Sequence, residues 1–486
     1  MSDRGFSTKK ACKIHLMGIG GAGMSALAQL LIEKGHVVSG CDMCCSSYLD
    51  KMLHQGVPIS IGHDVEHLKG KDIDLLVYSS AISPNNPELL YAEKAGIPMA
   101  KRAEILSMLF NGNFGIGVAG AHGKTTTSSM TAFVLESAGV SPSVAIGGEL
   151  CDIGGNAKLG QSDYMVAELD ESDGSFELFE CSIAIITNID WDHVDHYPDI
   201  NSVREGFHRF LANTKKGSTL VLCTADKGMQ DFLMRYGVPE ERNLVTYGWE
   251  EDCNWRASEV CHVPGGGVSF SVSSDGHTLG KIHLQLSGNH NVLNALAACS
   301  VALSLGIPFS IVSQALHDFR GAKRRLQKVG SRGNVIIYDD YGHHPREIAA
   351  TLDALRNIFP GFMINVAFQP HRYSRTAAMY PEFAQALTKG DRIFLLPIYS
   401  ADESNIWNAS SRDIEKSMLE QGYPCTYCDD MGNAKKRILE ALGDGNEVIL
   451  TLGAGDVNLL GPILHKALEE KRVDEHVPPR VLAKTL

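Results

Sequence analysis

The sequence predicts an α/β protein built from parallel β-sheets covered by helices. Short runs rich in β-branched residues alternate with longer helical patterns along the chain, and glycine-bearing turns separate them. Strands that alternate with helices form parallel sheets, because each helix carries the chain back to the start of the next strand. At 486 residues the chain is long enough for several domains, each with its own core.

The predicted strands divide the chain into three blocks. A polar break at 111–113 ends the first block, and the second runs to about residue 321, so we predict domains at 1–112, 113–321 and 322–486. Segment 249–284 is glycine-rich and alternating, which predicts antiparallel strands within the second block. The predicted strands are 14–17, 37–40, 75–79, 114–119, 165–169, 183–187, 335–338, 363–368, 393–397 and 448–452.

Composition excludes several classes of partner. Lysine and arginine number 44 against 57 acidic residues, for a formal charge of -13. This charge argues against general binding to nucleic acid or to an anionic membrane, since phosphate surfaces need basic patches. There is no signal-peptide pattern and no apolar stretch near the roughly 18 residues that span a bilayer. We expect a cytoplasmic protein with neither nucleic acid nor membrane as a partner.

Cysteines are numerous but do not predict a zinc site. Two local spacings resemble those of zinc ligands: one is that of Cys41, Cys44 and Cys45, and the other is that of Cys425 and Cys428. No histidine pair completes either set. We expect these cysteines to be small buried apolar residues.

A first glycine-rich turn, 18–23, reads Gly-Ile-Gly-Gly-Ala-Gly between a predicted strand and a helical pattern that begins at Met24. Such glycines let the backbone approach a diphosphate at the N-terminus of a helix, and Asp42 after the next strand is placed to accept from a ribose hydroxyl. The motif indicates a nucleotide diphosphate. The alternatives are an NAD-dependent dehydrogenase and a structural turn without a ligand.

A second turn, 120–127, reads Gly-Ala-His-Gly-Lys-Thr-Thr-Thr after the predicted strand 114–119. Its Gly-Lys-Thr core supplies bent backbone amides around phosphate oxygens, a lysine between the β- and γ-phosphates and a hydroxyl for Mg²⁺. The more distant glycine of the full phosphate-loop pattern is missing, because Val118 and Ala119 occupy that stretch. Two such turns in one chain predict two bound nucleotides, one of them ATP.

Acidic residues follow two further predicted strands. Glu168 and 170–173 come after one strand, and Asp190, Asp192 and His193 come after another. The carboxyl ends of neighbouring parallel strands face one crevice, and Mg²⁺ prefers oxygen ligands that it shares with phosphates. Glu168 beside Thr125 therefore predicts a magnesium site, with His193 on a second ion. The alternative is a solvated acidic loop.

Two clusters lie further downstream. Residues 288–291 open a helical run and suit a purine edge, although a helix N-cap explains them equally well. The third block carries 339–345 after one strand and 369–375 after another. Its two arginines, Arg372 and Arg375, can clamp a carboxylate, and the alternative is a surface salt-bridge loop.

Taken together, these motifs resemble the Mur ligases, the cytoplasmic enzymes that build the peptidoglycan stem peptide. The resemblance extends from Gly18 to Asp456, and within the family it is strongest to the branch that adds L-alanine. It rests on the matching segments 15–24, 120–127, 168–173, 187–195, 340–345 and 369–376.

The resemblance implies a Rossmann-like N-terminal domain for UDP-N-acetylmuramate, a central P-loop ATPase-like domain and a Rossmann-like C-terminal domain for the amino acid. It implies that ATP and Mg²⁺, with Mn²⁺ as another candidate ion, activate the sugar carboxylate as an acyl phosphate that L-alanine then attacks. The implied process is peptidoglycan synthesis, and with it cell-wall biogenesis, cell shape and cell division, by a monomer or homodimer. The alternatives are a ligase that adds a whole tripeptide to the same sugar nucleotide and, in a different class, an NAD-dependent dehydrogenase.

The family roles transfer by matching motif. Catalytic roles fall on Lys124, Glu168, His193, His343, Arg372 and Arg375, and the metal ligands are Thr125, Glu168 and His193. ATP contacts fall on Gly120, Ala121, His122, Gly123, Lys124, Thr125, Thr126, His290, Asn291, Asn294, Arg325 and Asp340. Substrate contacts fall on Gly18, Gly20, Gly21, Gly23, Met24, Asp42, His63, Ser79 and Ser80 for the sugar nucleotide, and on Tyr341, His343, Arg372 and Arg375 for L-alanine. Several relatives carry a carbamylated lysine after the Asp-His motif. Segment 204–209 has no lysine, so we expect none here.

Overall fold

A computed structural model describes residues 10–44, 46–150, 155–401 and 403–474. The described residues form two compact units: the first contains those up to 261 and 267–323, and the second contains 262–266 and those from 324 onward. The predicted boundary at residue 321 falls close to the start of the second unit. The division of the first unit into two domains at residue 112 stays a prediction.

The first sheet of the first unit is parallel throughout, and among the described residues its strand order is β3-β2-β1-β4-β5. This order places β1 centrally, so the turn that follows β1 opens at the point where the strand order reverses. The strands are β1 (Lys13–Met17), β2 (Val37–Asp42), β3 (Ile59–Ile61), β4 (Leu75–Tyr78) and β5 (Met99–Lys101), and the helices are α1 (Ala22–Glu33), α2 (Ser47–His54), α3 (Pro87–Ala95) and α4 (Arg102–Asn111).

The second sheet of the first unit has the order β15-β14-β13-β12-β11-β10-β6-β9-β7-β8 in the described part of the chain. Its centre is parallel, and β14 pairs with β15 as an antiparallel hairpin, as predicted for 249–284. The strands are β6 (Phe114–Ala119), β7 (Ser143–Leu150), β8 (Gly155–Lys158), β9 (Tyr164–Glu168), β10 (Ile183–Ile186), β11 (Thr219–Cys223), β12 (Asn243–Gly248), β13 (Trp255–His262), β14 (Val268–Ser274) and β15 (His277–Leu284). The helices are α5 (Lys124–Ser137), α6 (Ile200–Ala212), α7 (Lys227–Tyr236), α8 (Asn289–Ser304) and α9 (Phe309–Asp318).

The second unit is built on a third sheet, whose order over the described residues is β16-β17-β21-β18-β19-β20. Its strands are parallel except β16, which pairs antiparallel with β17. The strands are β16 (Gln327–Arg332), β17 (Val335–Asp340), β18 (Met363–Phe368), β19 (Arg392–Leu395), β20 (Thr426–Tyr427) and β21 (Glu447–Leu452), and the helices are α10 (Pro345–Ile358), α11 (Tyr373–Leu387), α12 (Ser411–Glu420), α13 (Met431–Ala441) and α14 (Leu460–Asp474).

The predicted α/β class is confirmed, and each of the ten predicted strands forms within two residues of its expected ends. The central strands are aliphatic and buried, so they form the middle of a hydrophobic core. Strand β10 is buried at all four positions and β21 at all six. Strands buried on both faces need helices on both sides, which the α/β alternation supplies. No helix in the described part of the chain is long and apolar enough to cross a membrane.

The two sheets of the first unit are joined by polar contacts between β8 and α1. The Asn156 amide donates to the Ala22 carbonyl oxygen at 2.6 Å and to the Ser25 hydroxyl at 2.9 Å. The Leu159 backbone N–H donates to the Glu33 carboxylate at 2.6 Å. These bonds hold α1, and with it the first glycine-rich turn, against the second sheet.

Candidate active site

The second glycine-rich turn connects β6 to α5 and has the backbone of an anion cradle. Gly123 caps the helix with a φ of +79°, a conformation that glycine adopts without strain. A Cβ at Gly123 would also lie 2.7 Å from the Asn294 side-chain oxygen, so the position has neither the backbone freedom nor the space for a side chain. The free amides at the start of α5 therefore face an open turn where a phosphate is favoured.

Lys124, which is predicted to contact phosphates, lies at the start of α5 beside the second glycine-rich turn. Its ammonium donates to the carbonyl oxygen of Gly120 at 2.7 Å and to the Glu171 carboxylate at 2.9 Å. Burial works against the charge of Lys124, but the carboxylates of Glu171 and Asp170 outweigh it and raise the lysine pKa. The lysine is therefore a fixed cation with an anion already beside it.

Thr125 and Glu168, the predicted magnesium ligands, lie at hydrogen-bond distance from each other. The Thr125 hydroxyl donates to one carboxylate oxygen of Glu168 at 2.9 Å, and the Gly147 backbone N–H donates to the other at 2.7 Å. A hydroxyl and a carboxylate at this distance are two hard oxygen ligands beside a phosphate loop, which fits Mg²⁺. The sequence did not predict Gly147, which holds the orientation of Glu168 from β7.

His193 joins the same crevice from the loop after β10. Its Nε2 lies 3.5 Å from a Glu171 carboxylate oxygen and 4.0 Å from Asp192. Burial lowers the His193 pKa, but the hydrogen bond with Glu171 and the charge of Asp192 raise it overall. Asp170 is likewise buried against its charge, and His193, Lys124 and Arg102 hold its pKa below the usual range. The carboxylates here outnumber the fixed cations, so the crevice is suited to added positive charge.

Side chains after β10 hold the turn in shape. The Asn188 side chain accepts from the His122 backbone N–H at 2.9 Å and donates to the His122 carbonyl at 2.8 Å. The Thr187 hydroxyl donates to the same carbonyl at 2.6 Å. The sequence analysis did not assign a role to Thr187 or Asn188. The sequence feature that could have identified them is a pair of polar residues directly after a strand that neighbours the phosphate-binding loop.

The predicted adenine residues at the start of α8 divide into two groups. Asn291 and Asn294 are buried: the Thr127 hydroxyl donates to Asn294 at 3.1 Å, and Asn294 donates to Asn291 at 3.2 Å. These bonds brace α8 against α5, while His290 is exposed on the first turn of α8. Thr126 is buried within α5. A contact of any of these residues with ATP stays a prediction.

The first glycine-rich turn, between β1 and α1, is closed by Asp42 at the end of β2. One Asp42 carboxylate oxygen accepts from the Gly20 backbone N–H at 2.8 Å, and the other accepts from the Cys44 N–H at 3.2 Å. A Cβ at Gly20 would lie 2.9 Å from that same Asp42 oxygen. Asp42 therefore fixes the shape of the turn, in addition to any contact with a ribose.

Arg102, at the start of α4, is a site residue that the sequence analysis missed. A Cβ at Gly23 would lie 3.0 Å from an Arg102 guanidinium nitrogen, and the Arg102 charge lowers the pKa of Asp170. The arginine therefore lies beside the first glycine-rich turn, and its charge also acts on Asp170 after β9. An arginine at the carboxyl end of β5 was the signal in the sequence.

The remaining residues predicted for the sugar nucleotide are placed less uniformly. Ser79 lies beside Gly18 at the end of β4, and Ser80 is exposed next to it. His63 follows β3 and hydrogen-bonds the buried Glu88. Met24 is buried in the core on α1. Substrate contacts of these four residues stay predictions.

In the second unit, Asp340 ends β17 as a buried carboxyl group. Burial raises its pKa to about 6, although Arg325 and the backbone N–H groups of Gly342 and Leu326 favour the charged form. The Arg324 and Arg325 guanidinium carbons lie 5.0 Å and 5.4 Å from the centre of the Tyr341 ring. Arg324, which the sequence analysis did not assign, also donates to Asp339 at 3.1 Å.

The two predicted arginines lie at the start of α11, after β18. The backbone of Arg372 has a φ of +73°, and its N–H donates to the Tyr399 carbonyl oxygen at 2.8 Å. The guanidinium of Arg372 lies 3.6 Å from the Glu403 carboxylate. Arg375 is buried and donates to the His371 carbonyl at 3.3 Å. The ring of His371 lies 5.9 Å from that of His343. The structure thus gathers the predicted amino-acid residues at the carboxyl ends of β17 and β18.

Known proteins with the same arrangement identify the family. Residues 13–113 match the domain described as Mur ligase family, catalytic domain, residues 118–302 match the Mur ligase middle domain, and residues 324–455 match the Mur ligase, glutamate ligase domain. A UDP-N-acetylmuramate–L-alanine ligase from Desulforamulus reducens is 41% identical over 94% of this chain and 98% of its own. One from Desulfosudis oleivorans is 42% identical over 93% of this chain and 97% of its own.

Solved structures agree with the sequence relatives. The UDP-N-acetylmuramate–alanine ligase of Thermotoga maritima superposes with a TM-score of 0.78 at 28% identity, covering 95% of this chain and all (100%) of its own. A murein peptide ligase from Psychrobacter arcticus has a TM-score of 0.72 at 24% identity, covering 94% of this chain and 99% of its own, a likeness of fold. The resemblance seen in the motifs is confirmed, and the chain belongs to the Mur ligase family.

Proposed function

We propose that this protein catalyses the ATP-dependent ligation of L-alanine to the carboxylate of UDP-N-acetylmuramate, in the cytoplasm, as a step of peptidoglycan synthesis. The observation that carries the proposal is the crevice beside the second glycine-rich turn, where Lys124 donates to Glu171 and Thr125 donates to Glu168, each at 2.9 Å. The two alanine ligases described above, each about 40% identical over nearly the whole chain, supply the choice of acceptor and amino acid.

The proposed first step brings two anions together, so electrostatic repulsion between them is its main barrier. The sugar carboxylate attacks the γ-phosphoryl group of ATP, and ADP leaves as the acyl phosphate forms. Lys124 would release Glu171 and bind phosphate oxygens, while the amides of the 120–125 turn hold the chain of phosphates. Arg102 lies on the side of the first glycine-rich turn, where its charge offsets that of the incoming substrate.

A divalent ion fits the oxygen ligands of this crevice. Thr125 and Glu168 would hold one Mg²⁺ or Mn²⁺ ion and His193 a second, and the ions would supply positive charge to the phosphates. Glu171 and Asp192, which now lie beside Lys124 and His193, would then balance the added charge.

The proposed second step places L-alanine in the second unit. Arg372 and Arg375 would bind its carboxylate, and Tyr341 and His343 would border its amine. The amine must be neutral to attack the acyl carbon, and His343 is a candidate acceptor for its proton. Collapse of the tetrahedral intermediate gives the amide and inorganic phosphate.

The test is ADP release by the full chain with UDP-N-acetylmuramate, ATP and Mg²⁺, with and without L-alanine. We expect sustained ADP release only when both UDP-N-acetylmuramate and L-alanine are present. Release that needs neither acceptor would indicate an ATPase, and would contradict the proposal.

Two further arms of the same assay separate the alternatives. If a free tripeptide supports ADP release and L-alanine does not, the enzyme is the tripeptide ligase. NADH oxidation without any ATP requirement would indicate the dehydrogenase, a reading that leaves Lys124 and Glu168 without a role.

A further inference from the structure

A cluster of histidine, cysteine and glutamate side chains lies between the first sheet and α3, in a different sheet from the predicted magnesium ligands. Glu88 on α3 is fully buried, and its carboxylate accepts from His67 at 2.9 Å and from the Asp64 backbone N–H at 3.0 Å. Burial works against its charge, but the nearby His15 ring, together with hydrogen bonds from His67 and Cys41, lowers its pKa to about 2. A fixed anion thus sits in the core with four ligand-type side chains around it, those of His15, Cys41, His63 and His67.

Donor atoms of His15, Cys41 and Glu88 lie within 4.8 Å of one another, and His63 lies beside Cys41 and Glu88. The Cys41 sulfur lies 3.3 Å from a Glu88 oxygen and 3.5 Å from His63 Nδ1. His63 Nδ1 lies 3.3 Å from Glu88 and His15 Nε2 lies 3.7 Å from Glu88. Ligands of a tetrahedral ion with bonds of about 2.0 Å to N or O and about 2.3 Å to S lie about 3.3–3.7 Å apart.

His15 is oriented toward the cluster by a partner on its other nitrogen. Its Nδ1 lies 2.9 Å from the Ser39 hydroxyl on β2, which fixes the plane of the ring. Its Nε2 is buried and has no hydrogen-bond partner among the described residues. A buried nitrogen directed at a carboxylate without a hydrogen bond is costly, and a metal ion would satisfy it.

We propose that His15, Cys41, His63 and Glu88 form a binding site for a zinc-like divalent ion, with His67 as a hydrogen-bond partner of Glu88. In this site His63 is a metal ligand in place of the sugar-nucleotide contact predicted from the sequence. Two nitrogens, one sulfur and one oxygen are the donor set of tetrahedral Zn²⁺ rather than of Mg²⁺. The thiol proton leaves to solvent on binding, so a divalent ion with one thiolate and one carboxylate makes the buried site neutral. From the sequence we expected Cys41 to be an ordinary buried cysteine beside Cys44. Cys44 is exposed, Cys45 lies outside the described residues, and the partners of Cys41 come instead from β1, α3 and the loop after β3.

The site is placed to stabilise the first glycine-rich turn. The Cys41 carbonyl oxygen accepts from the backbone N–H groups of Gly18 at 2.8 Å and Ile19 at 3.2 Å. An ion on the Cys41 side chain would therefore fix the segment that holds this turn. The role is structural and does not depend on which nucleotide the turn binds.

The test is a Co²⁺ titration of the chelator-treated full chain, in excess Mg²⁺ to occupy the hard-oxygen sites. We expect one Co²⁺ per chain, with the intense near-ultraviolet absorption of a thiolate–cobalt bond, and displacement of Co²⁺ by Zn²⁺. Cys41→Ser should lose this absorption. Cys12→Ser, which changes a cysteine that is also buried beside the same sheet, should keep it.

A second variant covers the case in which Cys41→Ser does not fold, as judged by circular dichroism. His15→Gln keeps the thiol and should weaken Co²⁺ binding about 10- to 100-fold. The proposal is overturned if the wild-type chain shows no thiolate band, if the band survives in folded Cys41→Ser, or if His15→Gln binds Co²⁺ as tightly as wild type. In these cases the cluster is a hydrogen-bond network only.

Discussion

The two glycine-rich turns of the first unit share a backbone design and differ in the charges around it. Both connect a central parallel strand to the N-terminus of a helix, β1 to α1 and β6 to α5. Around the second turn stand a lysine and several carboxylates, whereas Asp42 closes the first turn and Arg102 borders it. Each turn presents backbone N–H groups at a helix N-terminus, which favour an anion, so we expect the side chains to decide which anion is bound.

This difference predicts a different phosphate chemistry for each turn. Carboxylates such as Glu168 beside Thr125 need a divalent ion before a polyanion can enter, which fits a magnesium triphosphate. The first turn has Arg102 at Gly23 and needs no ion to accept a diphosphate. The following predictions would sharpen this comparison or break it.

The largest effect is expected for Lys124→Ala. Removal of the ammonium leaves developing charge on the phosphates unbalanced and the buried Glu171 without its cation, so turnover should fall about 10³-fold or more. ADP release measures this loss. Binding of UDP-N-acetylmuramate, measured by calorimetry, should be unchanged because the first turn does not use Lys124.

A matched control is Lys215→Ala, which removes a lysine that binds the Asn113 carbonyl oxygen in the same unit, away from the crevice. It should keep turnover. If Lys124→Ala weakened uridine-nucleotide binding as much as it slowed turnover, the two turns would not be separate sites, and the comparison would fail.

Glu168→Gln should raise the Mg²⁺ concentration that gives half-maximal ADP release by about 10- to 100-fold. The amide keeps the size of the carboxylate but removes the charge that faces Thr125 and Gly147. Glu180→Gln, at an exposed position of the same unit, is the control and should leave the Mg²⁺ dependence unchanged. An equal response of both variants would remove Glu168 from the metal site.

Arg102→Ala should weaken UDP-N-acetylmuramate binding about 10- to 100-fold, since a hydrogen bond to a charged group contributes about 1.5–3 kcal/mol. The KM for ATP should change less. The exposed neighbour Lys101 is the matched control, because Lys101→Ala removes the same charge next to Arg102. A larger effect on ATP than on the uridine nucleotide would assign Arg102 to the second turn.

The sequence predicted the elements of the site better than its contacts. The strands and both turns follow from hydrophobic runs and glycine spacing, which are local, and Thr125 and Glu168 meet because neighbouring parallel strands end at one edge. The two glycine-rich motifs do not predict Arg102 or Gly147. Each reaches the site from an element outside the two motifs, through packing that brings α4 and β7 beside them.

The proposed metal-binding cluster shows more clearly that local sequence patterns do not predict long-range contacts. Spacing along the chain pairs Cys41 with Cys44, whereas the fold pairs it with His15, His63 and Glu88. These partners come from β1, the loop after β3 and α3, and no local pattern connects them. Long-range pairing of strands, and not motif spacing, determines which side chains become ligands.

The smallest effects are expected within the first turn itself, where Gly20 and Gly21 can be compared directly. A Cβ at Gly20 would lie 2.9 Å from Asp42 and 3.0 Å from Leu49, whereas a Cβ at Gly21 would meet only the Gly18 carbonyl oxygen at 3.4 Å. Gly20→Ala must therefore displace Asp42, which accepts the Gly20 N–H, and should weaken uridine-nucleotide binding about tenfold, the cost of one hydrogen bond. Gly21→Ala should cause the smaller loss in the same calorimetric titration, and neither variant should alter ATP binding. If Gly21→Ala proved the more damaging, the turn would depend on a close approach of the ligand at Gly21 rather than on the bond between Gly20 and Asp42.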